Sequence, residues 1–316
     1  MMFNLSDGVR KAMVIAPTAI LPRSIRVALR EPLLARQEVA IARRSRLIII
    51  AHPKSGNTWL KVMLTRLYAN RHGVSEQEFA RYNVLADRNP AIPKFAATNG
   101  WYSYEGADGK LLAPEAPDNE LKHKPVVLLA RNPADIAVSW YFQFTRRQSS
   151  HKQELINHSI EHPIDRKRIE MWDFVRHSDI GLPFLIEFLN TWERRVARLP
   201  KGMLLRYEEL RSEPAKVLHK ITALMGDSFS DQEIQAAVDF GSFDNLRKLE
   251  SEGFFSQGGL TLRNPKDPES FKVRRAKVGG FSDYFDPEQV AELEQLMRER
   301  LSPSLGYTPA VDNDDG

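Results

Sequence analysis

Three short runs of apolar residues predict buried strands. They are LIIIA at 47–51, VVLLA at 126–130 and MLLRY at 203–207. Unbroken apolar runs of this length are typical of strands covered on both faces of a parallel sheet. A helical pattern follows each run; after the first, its apolar face comprises Leu60, Met63, Leu64, Leu67 and Tyr68. Strands that alternate with helices predict an α/β fold of three layers around a central parallel sheet.

The order of these elements predicts one domain with an extension at each end. A basic, partly helical segment covers residues 1–45, the α/β domain covers 46–310, and residues 311–316 form a disordered tail. The final helix of the domain has a clear start. Asp286 is its expected N-cap, Pro287 its first residue, and Gln289 the partner in a capping box.

Composition and charge exclude several kinds of site and narrow the set of functions that the chain can have. The chain has 316 residues and no cysteine, so disulfides, thiolate metal sites and a cysteine nucleophile are excluded, and a cytoplasmic location is expected. No apolar run approaches about 18 residues, so we expect no transmembrane helix. Residues 1–46 carry nine Arg and Lys against three acids, which leaves the rest of the chain slightly acidic. This segment is expected to pack on the domain through one apolar stripe; contact with an anionic membrane is the alternative.

The sequence HPKSGNT, directly after the first strand, predicts an anion site. A strand, a tight turn and a helix N-terminus direct backbone N–H groups and the helix dipole at one point. Gly56 allows close approach, Ser55, Asn57 and Thr58 add donors, and Lys54 adds a compact positive charge. The lysine precedes the glycine, whereas the loop of nucleotide triphosphatases has lysine after glycine and a hydroxyl for magnesium.

Two further basic elements accompany this loop. Arg131 follows the second strand in LLARNPADIAVSWYF, and Ser139 lies eight residues later; together they can hold a second phosphate. A late segment, FKVRRAKVGGF, is rich in Lys, Arg and Gly and lacks acids. Three basic elements in one α/β domain indicate a single polyanionic ligand. Nucleic acid is not expected, because the excess charge is concentrated in the N-terminal segment.

These motifs resemble the cytosolic-type sulfotransferases, and bacterial members of that family most of all. PKSGNTW resembles the loop that holds the 5′-phosphosulfate of 3′-phosphoadenosine 5′-phosphosulfate (PAPS), and RNPADIAVS resembles the 3′-phosphate segment. LLRYEELRSEPAKVL, FGSFDNL, RRAKVGG and LGY also match in order, so the likeness spans residues 46–308. The resemblance implies that PAPS contacts Lys54, Ser55, Gly56, Asn57, Thr58, Trp59, Arg131, Ser139, Tyr207, Ser242, Phe243, Arg274, Arg275 and Ala276.

The resemblance implies a reaction and a role for the loop lysine. A sulfuryl group would move from PAPS to a hydroxyl or amine of a small molecule, which leaves 3′-phosphoadenosine 5′-phosphate (PAP). Lys54 would neutralise the negative charge that develops on the bridging oxygen, and no metal would be required. The aromatic residues of NGWYSYEG suggest a pocket for an aromatic or amine-containing acceptor. The sequence does not decide between a monomer and a homodimer.

The general base is the main departure from the family pattern. Asn99 stands where the family has a histidine, and an amide cannot accept a proton at neutral pH. Glu105, in the same segment, is the first candidate to replace it. The glycine after the late basic pair is Ala276 here, which restricts the backbone. Two alternatives follow, a non-catalytic PAPS- or PAP-binding relative and, less favoured, a P-loop-like kinase.

Overall fold

Four parallel strands form the central sheet in the computed structural model of the protein, which describes residues 6–98, 120–256, 259–261 and 277–307. The strand order is β2-β1-β3-β4. The strands are β1 (Leu47–Ile50), β2 (Phe95–Thr98), β3 (Val126–Ala130) and β4 (Gly202–Arg206). The α/β class and the central parallel sheet are therefore confirmed.

The sequence pattern located three of these strands within one residue but missed β2. Phe95–Thr98 reads FAAT, and two alanines give too weak an apolar signal to separate a strand from a loop. The backbone nevertheless pairs with β1 along its whole length, from Leu47 opposite Phe95 to Ile50 opposite Thr98. Strand β4 ends one residue before the third predicted run does, because Tyr207 begins a helix.

Helices surround the sheet and precede it. They are α1 (Asp7–Thr18), α2 (Arg23–Arg44), α3 (Asn57–Arg71), α4 (Glu76–Phe79), α5 (Leu85–Arg88), α6 (Pro133–Phe142), α7 (Ser150–Ser159), α8 (Met171–Arg176), α9 (Leu182–Val196), α10 (Tyr207–Ser212), α11 (Pro214–Leu224), α12 (Asp231–Phe240), α13 (Phe243–Ser251) and α14 (Pro287–Arg300). Asp286 caps α14 in the predicted capping box with Gln289. A π-helical turn, Gln143–Arg147, continues α6.

The two faces of the sheet build two separate apolar cores. Successive strand residues point to opposite faces. Ile49 and Val127 therefore pack with α3, α11 and α12, whereas Ile48 and Leu128 pack with α6, α9 and α14. Both faces are covered, which explains why the strands are apolar throughout. This is the predicted arrangement of three layers.

The N-terminal helices form an antiparallel hairpin beside the domain. Gln37 Nε2 on α2 donates to the Arg10 carbonyl on α1 at 2.9 Å. Val27 and Leu34 on α2 are buried against Leu155 of α7, so one apolar stripe does pack on the domain. None of the described helices is long and apolar enough to span a membrane.

Candidate active site

A cleft opens at the carboxyl ends of β1, β3 and β4. Its lining comprises Lys54, Gly56, Asn57, Thr58, Trp59, Arg131, Asp135, Val138, Ser139, Tyr207, Arg211, Phe243, Leu246, Leu260, Lys277, Gly280, Phe281 and Tyr284. Ligands of open α/β folds bind outside the carboxyl ends of the strands, so the position is the expected one. The cleft combines cations, aromatic rings and a helix N-terminus, which suits a nucleotide that carries several negative charges.

The turn between β1 and α3 leaves the N-terminus of α3 open. Gly56, the N-cap, has φ of +99°, and no side chain among the described residues caps the helix. The first N–H groups of a helix have no intrahelical acceptor, and here they face the cleft at Asn57 and Thr58. Lys54 also has a left-handed backbone, with φ of +86°, which is strained for a residue with a side chain. The turn is thus shaped to bind an anion.

His52 supports this turn from below. Its ring is buried and makes edge contacts with Trp140 and Phe188 at centroid distances of 5.5 and 5.9 Å. Nδ1–H donates to the Pro53 carbonyl at 2.9 Å. Burial lowers the pKa of His52 from 6.5 to about 3, so the ring is neutral near pH 7. A buried ring with so low a pKa is a structural group and a poor proton acceptor.

The turn between β3 and α6 is closed by its own side chains. Asn132 Oδ1 accepts hydrogen bonds from the N–H groups of Ala134 and Asp135 at 2.9 and 3.3 Å. Pro133 occupies the first helical position, where its missing N–H costs nothing. The Asn132 N–H in turn donates to Glu208 Oε1 at 3.2 Å. The N–H groups of this helix end are therefore already bonded within the protein, whereas the side chains of Arg131 and Ser139 line the cleft.

The guanidinium of Arg131 joins the separate basic elements of the sequence. Nη1 donates to the carbonyl of Lys54 at 3.1 Å, and Nη2 donates to the carbonyl of Lys277 at 3.2 Å. The first loop, the end of β3 and the late segment therefore meet at one side chain. A guanidinium has five N–H donors, so donors remain after these two bonds. Its Nε has no hydrogen-bond partner among the described residues.

Tyr207 forms an aromatic floor between the two turns. Its ring lies 4.5 Å from the Arg131 guanidinium carbon. A Cβ atom on Gly56 would come within 2.7 Å of the same ring, so only glycine fits at that position. Trp59 meets Tyr207 edge-on at 6.0 Å, and its Nε1–H donates to the carbonyl of Gly241 at 2.6 Å. Burial raises the pKa of Tyr207 despite the nearby arginines, so its hydroxyl stays neutral.

Asp135 anchors the late segment to α6. Its two carboxylate oxygens accept from the N–H groups of Gly279 and Phe281, each at 2.9 Å. The Asp135 side chain is 2% exposed, and its carboxylate lies 3.5 Å from Arg131 Nη2, so it also helps to orient the guanidinium. A buried carboxylate that accepts two backbone N–H groups is a strong tether.

The predicted site residues fall into three groups. Those that line the cleft are Lys54, Gly56, Asn57, Thr58, Trp59, Arg131, Ser139, Tyr207 and Phe243. Two residues do not line the cleft, Ser55 and Ser242. Ser55 is fully buried beneath the turn, with no partner for its hydroxyl among the described residues, and Ser242 caps α13 by accepting from the Asn245 N–H. Those outside the described residues are Asn99, Glu105, Arg274, Arg275 and Ala276. Within the described part of the chain, no cluster of His, Asp and Glu could hold a metal ion.

Among the unpredicted residues of the cleft, three have polar side chains: Asp135, Arg211 and Tyr284. Asp135, in the first turn of α6, is four residues after Arg131, a spacing that can bring the two side chains together. Arg211 likewise lies one helical turn after Tyr207 and lines the cleft with it. Tyr284 follows the late glycines and had no local signal, because long-range bonds of that segment to Arg131 and Asp135 bring it back to the sheet.

Comparison with known proteins defines the family. The sequence matches the protein family described as Sulfotransferase domain over residues 44–304. Cytosolic sulfotransferase 13 of Arabidopsis thaliana is 27% identical over 275 residues, which cover 82% of this chain and 78% of that protein. Cytosolic sulfotransferase 15 of the same plant is 27% identical over 277 residues, or 81% of this chain and 72% of that protein.

Solved structures share the fold. Mouse sulfotransferase SULT7A1, complexed with PAP, superposes with a TM-score of 0.53 at 18% identity and covers 83% of this chain and 88% of its own. Retinol dehydratase, complexed with androsterone and PAP, superposes with a TM-score of 0.53 at 15% identity and covers 87% and 86%.

The chain belongs to the sulfotransferase family. The resemblance noted from its motifs is thereby confirmed, and so is the reaction class, PAPS-dependent sulfuryl transfer. The less favoured kinase alternative is wrong.

Proposed function

We propose that the cleft binds PAPS in one orientation. The phosphosulfate lies against the open N-terminus of α3, where Lys54 and Thr58 face it. The 3′-phosphate lies near Arg131 and Ser139, and the adenine lies among Trp59, Tyr207 and Phe243. The observation that carries this proposal is the position of Arg131, whose two Nη atoms bond to the carbonyls of Lys54 and Lys277. One guanidinium thus couples three elements that each suit an anion.

The residues present fit such a ligand. Arg131 retains unused donors, including an Nε without a partner among the described residues, and the first turn of α3 has no side-chain cap there. PAPS supplies the activated sulfuryl group when bound. Lys54 holds positive charge beside the bridging oxygen, and its strained backbone fixes the direction from which that charge acts. Charge aimed at a developing anion in a preorganised site lowers the barrier directly.

The acceptor is proposed to be a small molecule with a hydroxyl or an amine. The solved complex of retinol dehydratase with androsterone supports a hydrophobic alcohol as one class of acceptor to test. Glu105 is proposed to accept the acceptor's proton, and the amide of Asn99 is proposed to orient the acceptor. The similar plant proteins are cytosolic sulfotransferases, which supports a cytoplasmic location for this protein.

Binding experiments test the nucleotide orientation. Arg131→Ala should weaken PAP binding roughly ten- to hundredfold, the scale of a charged hydrogen-bonded pair, and weaken 5′-AMP binding much less. Titration calorimetry with both nucleotides measures the difference. Arg168→Ala is the matched control, since that side chain is 88% exposed and remote from the cleft. Equal losses for PAP and 5′-AMP would contradict the assignment of the 3′-phosphate.

Turnover experiments separate an enzyme from a binding relative. PAP release is measured with phenols, alcohols and amines as acceptors. If Glu105 is the base, Glu105→Gln should lower turnover by roughly a hundredfold or more. If the acceptor needs no base, Glu105→Gln should have little effect, and the rate should follow the acceptor's own pKa. Tight PAP binding with activity only in Asn99→His would mark the protein as a non-catalytic relative.

A further inference from the structure

The outward faces of α1 and α2 carry a cluster of exposed apolar side chains. Seven large apolar side chains are exposed in the described residues, and only Val278 lies elsewhere. The other six form what we call the hairpin face: Val9, Met13, Ile20, Ile25, Leu29 and Leu33. Ile20, at the turn of the hairpin, is 90% exposed, and Met13 is 62% exposed. Single exposed apolar residues are ordinary, but such a concentration marks an interaction surface.

Helical spacing places the α2 residues of the hairpin face on a side of that helix that the domain does not use. Ile25, Leu29 and Leu33 recur every four residues along α2, so they form one stripe. Val27 and Leu34, which are buried against the domain, lie on the opposite side of the same helix. The helix is thus apolar on two sides, and core packing accounts for only one of them.

Positive charge accompanies the apolar stripe. Residues 1–46 contain nine Arg and Lys against three acids. Packing against the domain cancels only part of this excess, because Arg23, Arg26 and Arg30 share the single carboxylate of Glu154 and Arg46 pairs with Asp227. Arg36, one turn beyond Leu33 on the same side of α2, is exposed.

We propose that the hairpin face docks on the surface of an anionic lipid bilayer. Apolar side chains flanked by cations are the pattern of helices that lie in the membrane interface, where burial of apolar area and attraction to anionic headgroups add together. A second copy of this chain suits the surface less well. A two-fold interface brings like patches together, and here it would oppose two strongly basic segments. Charge therefore selects lipid as the occupant.

Vesicle sedimentation tests the proposal on the full chain. The probes are vesicles of phosphatidylcholine alone and of phosphatidylcholine mixed with phosphatidylglycerol. We expect binding to the mixed vesicles that weakens as salt is raised. The double substitution Ile20→Glu and Leu29→Glu should lower it roughly tenfold or more, since two apolar side chains lose their burial. Gln232→Glu with Ala236→Glu, at exposed positions of α12, is the matched control and should retain binding.

A second pair of variants examines charge. Arg36→Glu should weaken binding to the mixed vesicles by several-fold, whereas Lys220→Glu, exposed on α11, should not. Thermal stabilisation by PAP, measured on every variant, verifies that the fold is intact. Failure of the wild-type chain to bind the mixed vesicles would overturn the proposal. So would a dimer, seen by light scattering, that the Ile20 and Leu29 substitutions dissociate while vesicle binding is absent.

Discussion

The two strand-to-helix turns of the cleft solve the same backbone problem in opposite ways. After β1, Gly56 adopts a left-handed conformation and no described side chain caps α3. After β3, Asn132 caps α6 with two hydrogen bonds, and Pro133 fills the first position. Every helix N-terminus has N–H groups without partners. The first turn leaves them without a side-chain cap among the described residues, and the second satisfies two of them within the protein.

The difference indicates a division of labour. An open helix end offers several donors at one point, which suits the group that reacts. A capped end is rigid, so it can hold a long side chain such as Arg131 in a fixed direction. We therefore expect substitutions in the first turn to act mainly on catalysis and ligand binding, and a cap substitution in the second turn to act mainly on stability.

Replacing the loop lysine should have the largest effect. Lys54→Ala should lower kcat roughly a hundred- to a thousandfold, because the positive charge is needed most as the bridging oxygen becomes negative. PAP affinity should change far less. Stopped-assay turnover and calorimetry measure the two quantities, with Lys220→Ala as the control. Unchanged turnover with weaker donor binding would contradict the electrostatic role.

Replacing the loop glycine should come next. Gly56→Ala adds a Cβ atom 2.7 Å from the Tyr207 ring at a residue with φ of +99°. The turn must shift, so PAP affinity should fall roughly tenfold or more. Gly226→Ala separates the two causes, because Gly226 also has a positive φ, +80°, but nothing lies near its added Cβ. That control should lose stability and keep PAP affinity; equal affinity losses would show that strain alone explains the result.

Acid should affect the first turn through His52. The pKa of His52 is about 3 in the folded protein, whereas in the unfolded chain it takes the ordinary value of 6.5. Between these two pH values only the unfolded chain binds the proton. Stability from this group is complete above pH 6.5 and falls as the pH drops, by roughly 2 kcal/mol at pH 5. Urea unfolding of wild type and His52→Phe across this range measures the slope. The variant should show a shallower loss, and parallel curves would contradict the buried neutral ring.

Removing the cap of the second turn should have the smallest effect. Asn132→Ala should lower the free energy of unfolding by about 1 kcal/mol, the usual value of an N-cap. Turnover should be nearly unchanged if the cap only supports the turn. Ser230→Ala, which removes the equivalent cap of α12 far from the cleft, should give a similar loss of stability. A large drop in PAP affinity for Asn132→Ala alone would show that the cap also positions Arg131.

Local patterns predicted the turns but not how they meet. The β1–α3 turn could be predicted because strand, glycine and helix follow one another within a few residues. The bond from Arg131 to the Lys54 carbonyl spans 77 positions, and no pattern in the sequence encodes it. No local pattern predicts the bonds of Asp135 either, because its two carboxylate oxygens accept from backbone N–H groups far along the chain. Strand β2 was missed because its alanines carry little apolar signal, although its pairing with β1 is regular.

The tether at Asp135 has a consequence for how the protein is made. The backbone groups that it holds, at Gly279 and Phe281, follow it by 144 and 146 residues. During synthesis all four strands emerge before this segment does, so the sheet can assemble while the cleft still lacks one wall. Contacts between residues far apart along the chain form slowly, because the entropy of closing the loop must be overcome first. We therefore expect an interval in which the nascent chain can form its sheet but still lacks one wall of the cleft.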